Sequence, residues 1–181
     1  MSATDTLIQT TWAIDPAHSE IQFKVKHLVI TTVTGNFKEF SGWVHSGENF
    51  EDAQIHFEAH VDSINTNSEQ RDAHLKGQDF FETEKFPTLS FTSTRFDKKD
   101  DTEFEMEGDL TIKGVTRKVK FSVEYAGTAK DPWGNTKAGF ELKGKINRKD
   151  FGLNWNAITE AGGALVSEEV KLIANIQLVR K

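Results

Sequence analysis

An all-β protein whose antiparallel strands fold against themselves or close is predicted by three features of this 181-residue sequence. Apolar and polar residues alternate with a period of two through most of the chain, which is strand and not helix periodicity. There are about eight or nine such runs, and those of about twelve residues would span about 40 Å, well above the usual strand length. A convincing helix signal occurs in one place only. With one apolar face on each of that many strands, a flat open sheet would leave most of its apolar surface in water.

The alternation is clearest in residues 102–126. Phe104, Met106, Gly108, Leu110 and Ile112 share one face of the first run, against Glu103, Glu105, Glu107, Asp109 and Thr111. Past Lys113-Gly114 the apolar face passes to Val119, Phe121, Val123 and Tyr125, against Lys118, Lys120, Ser122 and Glu124. The change from even to odd positions requires a loop with an even number of residues, so a two-residue hairpin is expected, with Gly114 first (type II′) or second (type I′). Acidic residues on one outer face and basic ones on the other suit cross-strand pairing.

Elsewhere the elements follow in order. Residues 12–15 form a short strand that stops at Pro16, and residues 20–28 alternate Ile21, Phe23, Val25 and His27 against Gln22, Lys24 and Lys26. Residues 29–34 are less regular, and Gly35 resets the chain before a strand over 36–46. That strand holds Phe37, Phe40, Trp43 and Val44 on both parities, so a bulge or bend near Gly42 is expected. After a charged turn over 47–52, residues 53–62 alternate Ile55, Phe57, Ala59 and Val61 with polar neighbours. Cap residues Asn65 to Ser68, Gln70 three beyond Asn67, and Gly77 as a stop mark a helix of about ten residues. Phe80, Phe81 and Phe86 behind it suit the closing of a barrel end. Strands resume over 88–96, which carries Phe91, over 136–147, which carries Ala138, Phe140, Leu142, Gly144 and Ile146, and over 167–179. An irregular connection over 148–163 holds Phe151, Leu153 and Trp155.

Composition narrows the function classes. The chain has no cysteine, so disulfide and thiolate chemistry are excluded, and that composition agrees with a reducing compartment. A net charge of −6 with interspersed signs argues against nucleic acid. No transmembrane helix is expected, because no run of about 18 apolar residues occurs. The outward residues are Glu and Lys, which also excludes an outer-membrane barrel. Fourteen phenylalanines against one tyrosine supply apolar area that needs no polar partner. Small residues on the inward parity (Ala59, Gly108, Ala138, Gly144, Ala174) favour an elongated cavity over a solid core.

Catalytic and metal signatures are weak. His56 and His60 share a strand face about 13 Å apart, too far to ligate one ion, so no metal site is expected. Asp15, His18 and Ser19 could be written as a triad, but within five residues beside a proline they fit turn capping better. Arg71, Asp72 and His74 lie on the helix, where Arg71 snorkels or pairs locally, and residues 147–150 read as a charged turn. His27 lies on the inward parity, either as a satisfied core histidine or as a ligand contact. No phosphate loop, dinucleotide fingerprint or other catalytic motif is present, and no cofactor is expected.

The short polar blocks resemble the YceI-like lipid/polyisoprenoid-binding family. Asp15-Pro16-Ala17-His18-Ser19, continued by Phe23, Val25, Lys26, His27, Gly35 and Phe37, is similar to its opening motif. Ser63-Ile64-Asn65-Thr66 with Arg71-Asp72-Ala73-His74-Leu75, Phe80-Phe81, Phe86-Pro87 and Phe91 is similar to its second block. Residues 108–116 and 147–153 resemble the third and fourth. The resemblance implies a lipocalin-like antiparallel β-barrel of about eight strands with one short α-helix, enclosing a polyisoprenoid, an isoprenoid quinone or a fatty-acid derivative.

Residues 1–11 are then expected to be a flexible segment and 12–181 one barrel domain. Ligand contacts are expected at Phe23, Val25, His27, Phe37, Phe57, Phe91, Met106, Phe121, Tyr125, Phe140 and Leu142, with Gly108 and Gly144 leaving room beside them. His27 and Tyr125 are the polar candidates for a headgroup. The alternative is an enzyme acting on an apolar substrate in the same barrel, with those two residues as acid or base. The first residues show no export signal, so a cytoplasmic location is expected. A homodimer is the assembly left open.

Overall fold

The structure, a computed structural model, describes residues 9–157 and 165–181. Its elements are β1 (Thr10–Ile14), β2 (Glu20–His27), β3 (Thr31–Phe37), β4 (Phe40–Ser46), β5 (Gln54–His60), β6 (Ile64–Asn65), α1 (Glu69–Lys76), β7 (Thr88–Lys98), β8 (Glu103–Ile112), β9 (Val115–Lys130), β10 (Thr136–Asn147) and β11 (Val166–Arg180). Hydrogen-bonded neighbours run β1-β4-β5-β7-β8-β9-β10-β11 and return to β1, every pair antiparallel. β2 continues β1 along the same edge of β11, and pairs with β3, which pairs with β6. Thus β1 and β2 are two halves of one long strand, as are β3 with β4 and β5 with β6. The result is a closed eight-stranded barrel. Closure removes the free strand edges that an open sheet would expose.

The three divided strands break side by side. Asp15 caps a 3-10 turn at Pro16–His18, and Ser19 Oγ accepts a hydrogen bond from the Gln177 N–H, 2.9 Å away. The next strand breaks at residues 38 and 39, whose N–H groups donate to the Ser63 carbonyl and to Ser63 Oγ. Ser63 itself closes the 3-10 turn Val61–Ser63 that interrupts the third. Backbone groups freed from one ladder are thereby taken up by their neighbours. The face switch expected near Gly42 occurs at this crease instead. Phe37 before it and Phe40 and Val44 after it are all buried, while Gly42 pairs regularly with Phe57. Gly35 does not reset the chain: it lies inside β3 opposite Phe23.

Two further boundaries differ from the sequence expectation. The ladder begins at Thr10, paired with Ser46, so Thr10 and Thr11 belong to the barrel and not to a flexible segment; residues 1–8 lie outside the described residues. The helix is shorter by one cap. Asn67 sits at φ +62 with its N–H on Asn65 Oδ1, so Ser68 becomes the N-cap and accepts from the Arg71 N–H. Of the 148–163 connection, residues 158–163 lie outside the described residues.

The two ends of the barrel are built differently. At the end holding the β4–β5 and β9–β10 turns, Phe50 is buried and meets Trp12, Tyr125 and Phe140 with ring centroids 5.2, 5.5 and 4.8 Å away. The turn over 47–52, expected to be merely charged, holds Asn49, Phe50 and Asp52 at positive φ to bring that ring inward. Each such residue costs about 1–3 kcal/mol unless its surroundings enforce it. At the other end lie α1, the phenylalanine segment behind it and residues 148–157.

The central hairpin settles the turn. Ile112 pairs with Val115, and Lys113 (φ +53) and Gly114 (φ +74) both adopt left-handed conformations, which is type I′ with Gly114 second. A Cβ on Gly114 would also lie 3.0 Å from the Phe86 ring. Gly114→Val should therefore lower stability by about 1–3 kcal/mol, read as a lower denaturation midpoint at unchanged slope. Gly114→Asn, which tolerates positive φ, should lose less.

Candidate functional site: a lumen sealed at one end

The barrel encloses a cavity of about 410 Å³. Its wall is built from the inward parity of the strands: Ile21, Phe23 and Val25 on β2, Phe91 on β7, Met106 and Leu110 on β8, Phe121 and Val123 on β9, Phe140 and Leu142 on β10. Strand β11 adds Val170, Leu172, Ala174, Ile176 and Leu178, the same face that alternates in the sequence. A register shift between Ser93 and Arg95 in β7 changes the inward parity, so Phe96 joins the lining as well.

The inward glycines serve the aromatic rings. A Cβ built on Gly35 would fall 2.2 Å from Phe23 Cζ, one on Gly108 2.5 Å from Phe91 Cζ, and one on Gly144 2.7 Å from Phe121 Cδ1. Each ring therefore lies across a glycine on the adjacent strand, against the wall. Gly108 and Gly144 are not themselves in the lining. The room expected beside them is filled by Phe91 and Phe121, and the lumen gains its space because those rings lie down. Tyr125 also stands apart from the cavity. It stacks on Phe140 at 5.1 Å in the sealed end, with its hydroxyl hydrogen-bonded to Thr128. Of the expected contacts, Phe23, Val25, His27, Phe37, Phe57, Phe91, Met106, Phe121, Phe140 and Leu142 do line the lumen. His27 and Tyr125 are not brought together.

Polar groups gather at the other end. Thr66, Arg71 and His74 line the cavity there beside Leu75, Phe80, Phe81 and Trp155. Arg71 donates from Nε to Thr66 Oγ1 at 2.7 Å and from its terminal nitrogen to the Thr66 carbonyl, while Thr66 is held in turn by Asp72. His74 shares a hydrogen bond with Asp79 at 2.8 Å, and its ring meets Phe80 and Trp155 edge-on. Arg148 lines the same end and is only 3% exposed.

The Arg148 guanidinium donates to the carbonyls of Leu153 (2.6 Å), Trp155 (2.8 Å), Ser167 (2.8 Å) and Val166 (3.2 Å). Burial pushes its pKa down, and the nearby Glu168 partly offsets this. What reads as a charged turn is thus a cation that fastens residues 153–155 to the start of β11. Its partners are backbone carbonyls, which carry no residue-type signal; the run of aromatic residues just after it was the only hint of a packed loop. Among the described residues the lining includes no aspartate or glutamate.

Comparison with known proteins gives this architecture a family. The YceI-like domain matches residues 12–178. The chain belongs to the YceI-like family. A UPF0312 protein of Staphylococcus aureus is 38% identical over 170 residues, covering 93% of this chain and 96% of the relative. Protein YceI of Escherichia coli is 38% identical over 165 residues, covering 91% and 83%. Among solved structures, the Campylobacter jejuni YceI protein has a TM-score of 0.74 at 34% identity, covering 87% of this chain and 91% of its own. A polyisoprenoid binding domain from Saccharophagus degradans shares the fold at a TM-score of 0.62 and 15% identity, covering 94% and 98%.

The Asp15, His18 and Ser19 group is structural. His18 Nδ1 lies 2.8 Å and Lys137 Nζ 3.0 Å from Asp15 Oδ2, but the Ser19 hydroxyl points to the Gln177 backbone. The hydrogen bond from His18, that from Lys137 and the Ala17 N–H together lower the Asp15 carboxyl from 3.8 to about 2. In this pH range the unfolded chain binds the proton more tightly than the folded one, so the contribution is fully present above about pH 4 and is lost as pH falls towards 2. Asp15→Asn keeps a good cap residue but removes the charge. The gap in urea midpoint between wild type and Asp15→Asn should be full at pH 6 and close progressively between about pH 4 and 2; a gap that stays constant through that window would assign the effect to something other than the carboxylate.

Proposed function

We propose that this barrel binds one elongated apolar lipid, a polyisoprenoid or an isoprenoid quinone, with its tail in the lumen and its head at the α1 end, as a carrier, store or sequestering protein. The observation that carries this reading is the polarity of the cavity: its wall along the strands is apolar apart from Gln22 and the Lys26–His27 end of β2, Phe50 packs behind the lining residue Phe140 at one end, and Thr66, Arg71, His74 and Arg148 gather at the other. Each methylene moved from water to such a wall contributes about 0.8 kcal/mol, reduced by the cost of ordering the chain. At the mouth Arg71 has N–H groups beyond the two it gives to Thr66, which suits a head bearing acceptor oxygens such as a quinone carbonyl. The polyisoprenoid binding domain of Saccharophagus degradans, a barrel of the same fold, supports the same class of guest. His27, at the end of β2, is a further contact for the head.

Native mass spectrometry of the purified protein, followed by solvent extraction, should reveal one apolar guest per chain. Ala174 lines the lumen between Leu142 and Ile21, so Ala174→Phe should remove the guest while the circular dichroism spectrum keeps its β signature; Val170→Phe offers a second blocking position if the first fails to fold. An empty extract together with equal binding of added isoprenoid quinone by wild type and blocked variants would overturn the reading. We place the protein in the cytoplasm on its cysteine-free composition. Fractionation of the native host should recover it there, and recovery from periplasm or medium would overturn the placement.

A further inference from the structure

The β2–β3 turn presents Leu28, Val29 and Ile30 to solvent, with exposures of 40, 79 and 79%. These are three of the five large apolar residues exposed among the described residues, and they are consecutive. Leu28 (φ +55) and Val29 (φ +65) both occupy the left-handed region, where a branched side chain is a genuine outlier and glycine or asparagine is the usual choice. Folding alone gives no reason for aliphatic residues here. The tip also adjoins the lumen: His27, which precedes it, lines the cavity, and the Leu28 N–H donates to the carbonyl of Leu165, another lining residue, at 2.9 Å.

The outer wall leading to this tip is basic, although the chain as a whole is acidic. Lys24 lies directly opposite Lys171, and Lys171 opposite Lys145, across β2, β11 and β10. Like charges placed side by side in this way are unfavourable for the sheet itself. Lys26 lies one outward position nearer the tip. Lys145 pairs with Glu169 at 3.7 Å and Lys149 with Glu168 at 2.8 Å; among the described residues Lys24, Lys26 and Lys171 have no carboxylate within ion-pair distance. Lys24 is four residues from Leu28, about 13 Å along a strand, so the lysine chains come level with a lipid headgroup layer when the tip enters it.

We propose that the Leu28-Val29-Ile30 tip inserts into the surface of an anionic lipid bilayer, with Lys24, Lys26 and Lys171 against its headgroups, and that this contact sets the cavity mouth on the membrane. The insertion stands on the tip and the lysines; its use in loading a guest rests on the lipid-binding reading. Apolar residues at an interface and basic residues beside it contribute jointly to such binding, and the basic part weakens with salt.

Flotation with vesicles of phosphatidylcholine, alone or with phosphatidylglycerol, tests this. The wild type should float with the anionic vesicles, and less so at high salt. The double variant Val29→Asp, Ile30→Asp puts a residue tolerant of positive φ at position 29, so folding is spared, and should weaken binding about tenfold or more. Trp133→Ser, which removes the 83%-exposed tryptophan of the β9–β10 turn at the opposite end, should change nothing. Loss of binding in Trp133→Ser with retention in the tip variant would overturn the inference, as would a wild type that stays unbound to both vesicles. A wild type that self-associates through the tip and ignores vesicles would also overturn it. Uptake of isoprenoid quinone added from ethanol separates the two readings. Vesicle binding without uptake from any source leaves the docking surface standing and removes the lipid-binding reading. Uptake from ethanol with unchanged vesicle binding in the tip variant does the reverse.

Discussion

The placing of phenyl rings across inward glycines governs what this barrel can contain. An eight-stranded barrel is close to the size at which side chains fill the interior, so a lumen exists only if large residues are kept from meeting in the middle. Phe23 over Gly35, Phe91 over Gly108 and Phe121 over Gly144 each trade a side chain on one strand for a ring held flat by its neighbour. Even a methyl group at any of these glycines would have to displace a ring, and for Gly108 would also meet the Thr92 carbonyl at 2.5 Å. The wall stays apolar while the axis stays open.

That wall needs ends of opposite character, and the chain supplies them from connections, not strands. Phe50 reaches its plug position only because three residues of its turn accept positive φ. At the mouth, α1 buries no residue of its own. The segment facing it is fixed in part by Arg148, a charge that could not remain buried without the four carbonyls that receive it. One end is held by packing alone, and the other by the packing of Phe80, Phe151 and Leu153 together with these hydrogen bonds.

How much of this the sequence made legible followed from the range of the interaction. Alternation along β8 and β9 identified both faces and the loop length, because period and parity are local; it could not say whether Gly114 came first or second in the turn. The inward parity also located the wall residues from Phe23 to Leu142. The glycines were misread because their partners lie on adjacent strands, where sequence spacing has no bearing. Tyr125 has the inward parity, but parity does not tell how far along the barrel a residue sits. Phe50 was hidden in a charged turn, Arg148 by partners that are backbone atoms, and the exposed Val29 by a β propensity that says nothing about solvent.

The aromatic plug also imposes a sequence of events on any guest. A tube closed at one end admits and releases through the same opening, so the part of a molecule that goes in first comes out last. A chain threaded past Trp155 and Phe80 must present its leading end to Phe140, which Phe50 backs, and keep its trailing end at the rim. Whatever takes the guest away grips that trailing end before the rest has left the wall, and exchange with a second guest cannot proceed by pushing the first one through.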